Sequence, residues 1–186
     1  MIIEKDDLLK IIKKELNYTK YLKNIQNIEL MILRQVEKES SFFIYSTRYE
    51  KSLNDMSLGI FQLLSSTMKW LGFKGEIKDM FSASQQTKYA VKYLDYLYLK
   101  FPEIRNPKER IKIMFSSYNC GKGTINKAIK LGLRDEEINY EGERTIQGKW
   151  STYKKINMNM VKYKIVSERN AEINRRYVNF ITGGLL

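Results

Sequence analysis

Histidine is absent from the 186-residue chain, and this absence excludes more chemistry than any other feature of the composition. Without histidine there is no Ser-His-Asp triad, no Cys-His nucleophile and no histidine-ligated zinc. Acid–base catalysis by this chain must therefore rely on carboxylates, tyrosine or lysine.

Cysteine and proline are also scarce. The single cysteine, Cys120, cannot form an internal disulfide, so the fold must be stabilised by packing. With two prolines, 10 glycines and 43% hydrophobic residues, the chain is neither disordered nor fibrous. No apolar run is long enough to span a bilayer, and the acidic start is unlike a Sec-type signal peptide. We therefore expect one compact domain, synthesised in the cytoplasm without a signal peptide.

Helical periodicity dominates what the chain does contain. It predicts an N-terminal helical lead-in within residues 1–20 and a strong helix over 21–39, whose apolar stripe ends at Glu39. Capping residues and apolar spacing predict further helices at 65–72, 82–101, 107–121, 124–132 and 158–181. Ser65 or Ser66 is the predicted cap of the first of these helices, and Asn106 is the predicted cap of the helix at 107–121. The stretch at 45–63 is instead predicted to hold a small hairpin. These patterns favour a single, mainly α domain over 1–186 with 21–181 as its core.

Glu39 is the first candidate for chemistry, because its carboxylate closes an apolar helical stripe. Burial disfavours the charged form of a carboxylic acid and raises its pKa, which suits a general acid. Cleavage of a glycosidic bond needs such a group to protonate the leaving oxygen. Taken alone the position is a weak indication, since most carboxylates at helix ends are partly exposed or hydrogen-bonded.

Four segments in order resemble the catalytic domain of soluble lytic transglycosylases, glycoside hydrolase family 23, which also holds goose-type lysozyme. The segments are ESSF at 39–42, GIFQ at 59–62, SYNCG at 117–121 and RYV at 176–178. They are similar to that family's Glu-Ser, Gly-Leu-Met-Gln, Ala-Tyr-Asn-Ala-Gly and closing Tyr-Val motifs. The resemblance covers roughly residues 25–181 and implies a lysozyme-like, α-rich (α+β) catalytic domain.

The resemblance also implies a mechanism. Glu39 would be the single acid and base, protonating the bond between N-acetylmuramic acid and N-acetylglucosamine in peptidoglycan. Its carboxylate would then take the proton of the muramyl 6-hydroxyl, which attacks C1 and leaves a 1,6-anhydro end. Such a reaction consumes no water and needs no metal or cofactor.

The substrate-binding residues implied by the same resemblance are Ser40, Gly59, Gln62, Tyr118, Asn119 and Tyr177. Gln62, Tyr118 and Asn119 would orient Glu39 and the N-acetyl groups. Ser40 would support the site, Tyr177 would line it, and Gly59 would let the backbone approach the substrate closely. A structural role in the core or beside a turn is the alternative for both tyrosines and for Gln62.

The stretch between 39 and 62 leaves two questions open. Its length makes Ser46, Ser52 and Ser57 equal candidates for a supporting serine. Asp55, four residues before Gly59, is the candidate for a second carboxylate. If Asp55 held a water on the far side of the sugar, the enzyme would be a hydrolysing, goose-type-like lysozyme instead.

The net charge of +12 is uneven, because residues 144–176 carry nine Lys and Arg against two Glu. A basic helical nucleic-acid-binding module would have this charge but not the four motifs. An inactive wall-binding protein would have both, provided that Glu39 is not catalytic. We expect peptidoglycan strands and anionic wall polymers as partners, no nucleic acid, and a monomer.

The setting that these features favour is a phage-type endolysin or a virion lysin, which reaches the wall after release. Non-classical export is the alternative. The stretch over 124–176 is longer than the family's usual segment, and the sequence predicts no role for its extra residues.

Overall fold

The computed structural model describes residues 1–138 and 152–186. The chain forms two compact units, residues 1–96 with Leu185 and residues 97–184 with Leu186. In the described ranges it is α-rich, with one three-stranded antiparallel sheet. The mainly α class with a small hairpin is thereby confirmed, and the assignment of all of 1–186 to one catalytic domain stays a prediction.

The first unit combines helices with the small sheet. Its helices are α1 (Lys5–Leu16), α2 (Ile28–Ser40), α3 (Ser65–Trp70) and most of α4 (Ala83–Leu99). Short 3-10 turns lie at Leu22–Asn24 and Ile77–Phe81. The strands are β1 (Thr47–Glu50), β2 (Asp55–Leu58) and β3 (Leu63–Leu64), with β2 in the centre. The predicted hairpin is the β1–β2 pair, and β3 extends it.

Helix α2 begins seven residues later than the periodicity predicts. Asn27, just before it, has a left-handed backbone with φ of +59°. The backbone N–H groups of residues 20–22 donate to the carboxylate of Asp95 at 3.0–3.1 Å, so this segment satisfies its donors outside a helix. Apolar spacing over 21–27 could not reveal a partner more than 70 residues away.

The second unit is helical throughout its described part. It holds α5 (Pro107–Cys120), α6 (Lys122–Ile138), α7 (Tyr153–Lys162) and α8 (Glu168–Thr182), and α5 packs against the other three. Asn106 caps α5 by accepting from the backbone N–H groups of Lys108 and Glu109 at 2.9 and 3.3 Å, as predicted.

Two helix predictions in the second unit are wrong. The helix predicted to stop at Gly132 continues to Ile138, because Gly132 marks a close approach and not a helix end. A Cβ at this position would lie 2.2 Å from Nδ2 of Asn159 on α7. The helix predicted over 158–181 is divided into α7 and α8. Lys164 has a φ of +51°, and Ser167 caps α8 by accepting from the backbone of Asn170 at 3.2 Å.

Each unit buries its own apolar core. Ile12, Ile32 and Phe61 are fully buried in the first unit, and Phe115 and Val178 in the second. None of the helices in the described ranges is both long and apolar enough to cross a membrane.

Candidate active site

The predicted site residues divide between the two units. The first unit contains Glu39, Ser40, Asp55, Gly59 and Gln62. The second contains Tyr118, Asn119 and Tyr177. Each group is supported by hydrogen bonds within its own unit.

Glu39 and Ser40 form the last turn of α2, where Glu39 is half-buried. The Ser40 hydroxyl donates to the carbonyl oxygen of Ile60 at 2.9 Å, and its 3.3 Å contact with the Val36 carbonyl is the longer of the two. This bond ties the end of α2 directly to the 59–62 loop. Two segments that the sequence analysis could connect only by resemblance are therefore adjacent.

Gln62 holds together the loop to which it belongs. Its Nε2 donates to the carbonyl oxygens of Gly59 at 2.9 Å and Ser46 at 3.1 Å. The backbone N–H of Gly59 also donates to the Ser46 carbonyl, at 2.6 Å. Because both N–H groups of the amide are used, Oε1 of Gln62 is the atom that remains to accept a hydrogen bond from a substrate.

The absence of a side chain at Gly59 makes room for the side chain of Gln86. It has a φ of +66°, and a Cβ at this position would lie 1.6 Å from Nε2 of Gln86 on α4. Gln86 is fully buried, and its Oε1 accepts from the backbone N–H of Phe61 at 3.4 Å. Gln86 is not among the predicted site residues, although an amide four residues before Ala90 on an apolar helical stripe is a usable signal. Close approach of substrate at Gly59 stays a prediction.

Asp55, the candidate second carboxylate, holds the start of α3. Its Oδ1 accepts from the backbone N–H of Met56 at 2.7 Å and from the Ser65 hydroxyl. Its Oδ2 accepts from the backbone N–H of Ser66 at 3.2 Å and from the Ser66 hydroxyl. The residue at the N-cap of α3 is Leu64, which offers no side-chain acceptor. Asp55 therefore supplies the cap that the sequence assigns to Ser65 or Ser66.

These bonds determine the ionisation of Asp55. Burial works against its charged form, but the hydroxyls of Ser65 and Ser66 and two backbone N–H groups outweigh burial and hold its pKa below its usual 3.8. The carboxylate is thus anionic near neutral pH, with both oxygens occupied by protein donors. Such a group is poorly placed to hold an attacking water.

The three candidate serines differ in their surroundings. Ser57 is buried, and its hydroxyl donates to Oε1 of Glu50 at 2.9 Å. Ser52 is exposed in the hairpin turn. Ser46 supports Gln62 through its carbonyl oxygen, so its contribution is one that any residue type could make.

Tyr118 and Asn119 lie in the last turn of α5, which ends at Gly121 with a φ of +85° as predicted. Tyr118 is half-buried and Asn119 is exposed. The Oδ1 atom of Asn119 accepts from Nδ2 of Asn174 at 2.9 Å. Asn174, which lies on the buried face of α8, is not among the predicted site residues.

Two further residues of the second unit, Tyr177 and Cys120, lie in surroundings typical of residues with a structural role. Tyr177 is 3% exposed, so its predicted place lining a binding site stays a prediction. Burial raises the pKa of the Cys120 thiol to about 11, which keeps it protonated and unreactive at neutral pH. Cys120 therefore acts here as a small apolar residue.

The predicted basic segment over 144–176 is described from residue 152, and 144–151 lie outside the described residues. Lys154, Lys164 and Arg169 are exposed, whereas Arg175 and Arg176 pair with Glu172. Among the side chains that the structure describes, which exclude residues 134–151, no group of three or more Cys, Asp or Glu is arranged to hold a metal ion.

Comparison with protein families identifies the class. The family model of the transglycosylase SLT domain matches residues 8–140, which is more than two thirds of the chain. The chain therefore belongs to the SLT transglycosylase domain family, and it is an enzyme that cleaves peptidoglycan in the manner of lytic transglycosylases. No curated protein matches it. The match ends before Tyr177, so α7, α8 and the RYV segment lie outside it.

Proposed function

We propose that this enzyme cuts peptidoglycan with Glu39 as its only catalytic carboxylate, leaving 1,6-anhydromuramic ends. Family membership provides the general activity. The role of Glu39, the bond cut and the product are the proposal. The observation that supports it best concerns Asp55, the candidate second carboxylate. Both of its carboxylate oxygens already accept hydrogen bonds from the protein, because Asp55 caps α3.

The reaction needs one group that first gives and then takes a proton. Glu39 protonates the oxygen of the β-1,4 bond between N-acetylmuramic acid and N-acetylglucosamine as the C1–O bond breaks, and positive charge develops on the muramyl ring. The resulting Glu39 carboxylate accepts the proton of the muramyl 6-hydroxyl while that oxygen bonds to C1. Glu39 is thereby returned to its acid form, and no water is consumed.

The remaining predicted residues bind the glycan strand in this proposal. Ser40 and Gln62 fix the loop next to the end of α2, and Oε1 of Gln62 accepts from the sugar. Asn119 uses its oxygen within the protein, so its Nδ2 is the atom that donates to an N-acetyl carbonyl. Tyr118 contributes a half-buried ring and hydroxyl beside it.

The alternative function is hydrolysis by a goose-type-like lysozyme. An inverting hydrolase needs a second carboxylate, roughly 6.5–9.5 Å from the acid, with a water between the two. Asp55 is the candidate, and its four protein donors argue against this role.

Digestion of purified peptidoglycan distinguishes the two functions. Wild type and Asp55→Asn should both release muropeptides whose new ends resist borohydride reduction, because the 1,6-anhydro sugar has no free aldehyde. Glu39→Gln should release none. Reducible muramic acid ends from the wild type that disappear in Asp55→Asn would establish the lysozyme instead.

The setting that we propose is a lytic enzyme made in the cytoplasm that meets the wall after phage lysis or from a virion, with non-classical export as the alternative. Exposed Lys154, Lys164 and Arg169 suit an anionic wall. Immunoblots of purified virions, lysates and cell fractions test this setting. Detection only in the cytoplasm of intact, unlysed cells would contradict it.

A further inference from the structure

Asn174 on α8 is fully buried, and it uses every hydrogen-bonding position of its side-chain amide. Its Nδ2 donates to Oδ1 of Asn119 at 2.9 Å and to the carbonyl oxygen of Ser116 at 3.2 Å. Its Oδ1 accepts from the Ser116 hydroxyl at 2.8 Å and from the Tyr153 hydroxyl at 3.0 Å. Helices α5, α7 and α8 therefore meet at one amide.

The chemistry of these partners fixes the orientation of both amides. The Ser116 carbonyl can only accept, so the Asn174 atom facing it must be the nitrogen. The Asn119 atom facing that nitrogen must then be its oxygen. Because Asn119 is exposed, this leaves its own N–H groups to donate outside the network.

The network is also protected from water. Burial raises the pKa of Tyr153 far above its ordinary value, so its hydroxyl stays protonated and continues to donate. In a buried, fully satisfied network, the loss of one partner leaves a polar group unpaired, which makes alternative arrangements unfavourable.

We propose that Asn174 is a positioning residue that locks Asn119 with its oxygen inward and its N–H groups presented to an N-acetyl carbonyl of the glycan strand. This inference rests on the proposed substrate-binding role of Asn119. Asn174 and Tyr153 lie outside residues 8–140, the part of the chain that the family model matches. Helices α7 and α8 therefore support Asn119 with residues that are not part of the family match. Tyr153 and Asn174 thereby give part of the stretch over 124–176 a role, which is to position Asn119.

The first test measures kcat/KM on a soluble peptidoglycan oligosaccharide. Asn174→Leu keeps the approximate shape but removes all four bonds, and kcat/KM should fall at least about tenfold, mainly through KM. Asn157→Ala is the matched control, because it removes the 3.0 Å bond from Nδ2 of Asn157 to the Ala171 carbonyl oxygen, which joins α7 to α8 without touching Asn119. Its kcat/KM should stay within about twofold of wild type. Equal kcat/KM in folded Asn174→Leu and wild type would overturn the inference.

A double variant separates positioning from general damage. If Asn174 acts through Asn119, adding Asn174→Leu to Asn119→Ala should change kcat/KM by less than about twofold. If the two substitutions acted independently, their reductions in kcat/KM would multiply in the double variant, and that result would overturn the inference.

A second readout does not depend on activity. In ¹⁵N NMR spectra the side-chain amide of Asn119 should be ordered in wild type and in Asn157→Ala, and mobile in Asn174→Leu. If Asn174→Leu does not fold, Asn174→Asp retains the accepted bonds. Once its new carboxyl ionises it can only accept, so Asn119 must turn its own N–H groups inward, and the ¹⁵N signals of the Asn119 amide should shift as the pH is raised. Asn119 amide signals that stay as in wild type in Asn174→Leu, or throughout the pH titration of Asn174→Asp, would overturn the inference. An inactive wild type with this NMR pattern would instead refute only the proposed function.

Discussion

The two units hold their motif residues by different means. In the first, Gln62 and Gly59 are fixed by hydrogen bonds to backbone carbonyl oxygens, one in their own loop and one at Ser46 just before β1. Two buried amides of this unit are not fully bonded, since Nε2 of Gln86 and both polar atoms of Gln35 have no hydrogen-bond partner among the described residues. In the second, Asn119 is held by Asn174, whose amide is completely bonded.

This difference predicts which kind of substitution will disturb the motif residues of each unit. A backbone-held loop is disturbed by changes in backbone conformation and close packing, whereas an amide-held side chain is released by one side-chain change. A buried amide with unmade bonds costs stability, and a fully bonded one defines a single arrangement.

Glu39→Gln should have the largest effect on activity. The variant keeps the size of the side chain but cannot deliver a proton, so the rate on peptidoglycan should fall at least about 10²-fold. The free energy of unfolding should stay within about 0.5 kcal/mol of wild type, measured by urea titration. A folded variant that clears walls at the wild-type rate would refute the role of Glu39.

Gly59→Ala tests the backbone-held loop through stability. A Cβ there meets the Gln86 side chain and sits on a left-handed backbone, so unfolding should become easier by roughly 2–4 kcal/mol. Gly72→Ala is the matched control, since it has a φ of +99° but nothing within 4 Å of the added Cβ, and it should cost only about 1 kcal/mol. Combining Gly59→Ala with Gln86→Ala should recover part of the difference. No recovery would show that Gln86 is not the obstacle.

Asp55→Asn should reduce stability more than activity. Loss of the anionic cap should cost about 1 kcal/mol at neutral pH, with most of the specific activity retained. Ser66→Ala is the comparison variant, because it removes one donor and leaves the carboxylate in place.

The pH dependence of the same variant has a definite sign. The pKa of Asp55 is lower in the folded chain than its usual 3.8, so its stabilisation is complete above that value and is lost as the pH falls through the folded-state pKa. The difference in unfolding free energy between wild type and Asp55→Asn should therefore shrink from pH 6 to pH 2. A difference that widens in acid would contradict the assignment.

Gln35→Met should have the smallest effect. Neither polar atom of the buried Gln35 amide has a hydrogen-bond partner among the described residues, so an apolar side chain of similar length should leave stability unchanged or raise it by up to about 1 kcal/mol. Thermal unfolding of the purified variant measures this. A loss above about 1.5 kcal/mol would mean that Gln35 has the same kind of supporting role as Asn174.

Local signals in the sequence were enough for part of the fold. The Asn106 cap, the end of α5 at Gly121 and the hairpin all depend on neighbouring residues, and each is present. The start of α2 and the cap of α3 depend on Asp95 and Asp55, which act from distant positions, so periodicity missed them.

The candidate site shows the same limit. Motif order located the residues, and the bond from Ser40 to Ile60 connects two of the motifs. Their supports, Gln86 and Asn174, are amides on otherwise apolar helical faces, and the segment that each amide reaches is set by tertiary packing.

Digestion of peptidoglycan in heavy-oxygen water tests the central claim most directly. If the 6-hydroxyl of the muramyl residue attacks C1, mass spectrometry should find every new muramic end lighter by one water than a hydrolytic end, with no heavy oxygen incorporated. New muramic ends that carry heavy oxygen at C1 would show that water is the nucleophile, and the one-carboxylate account would be wrong.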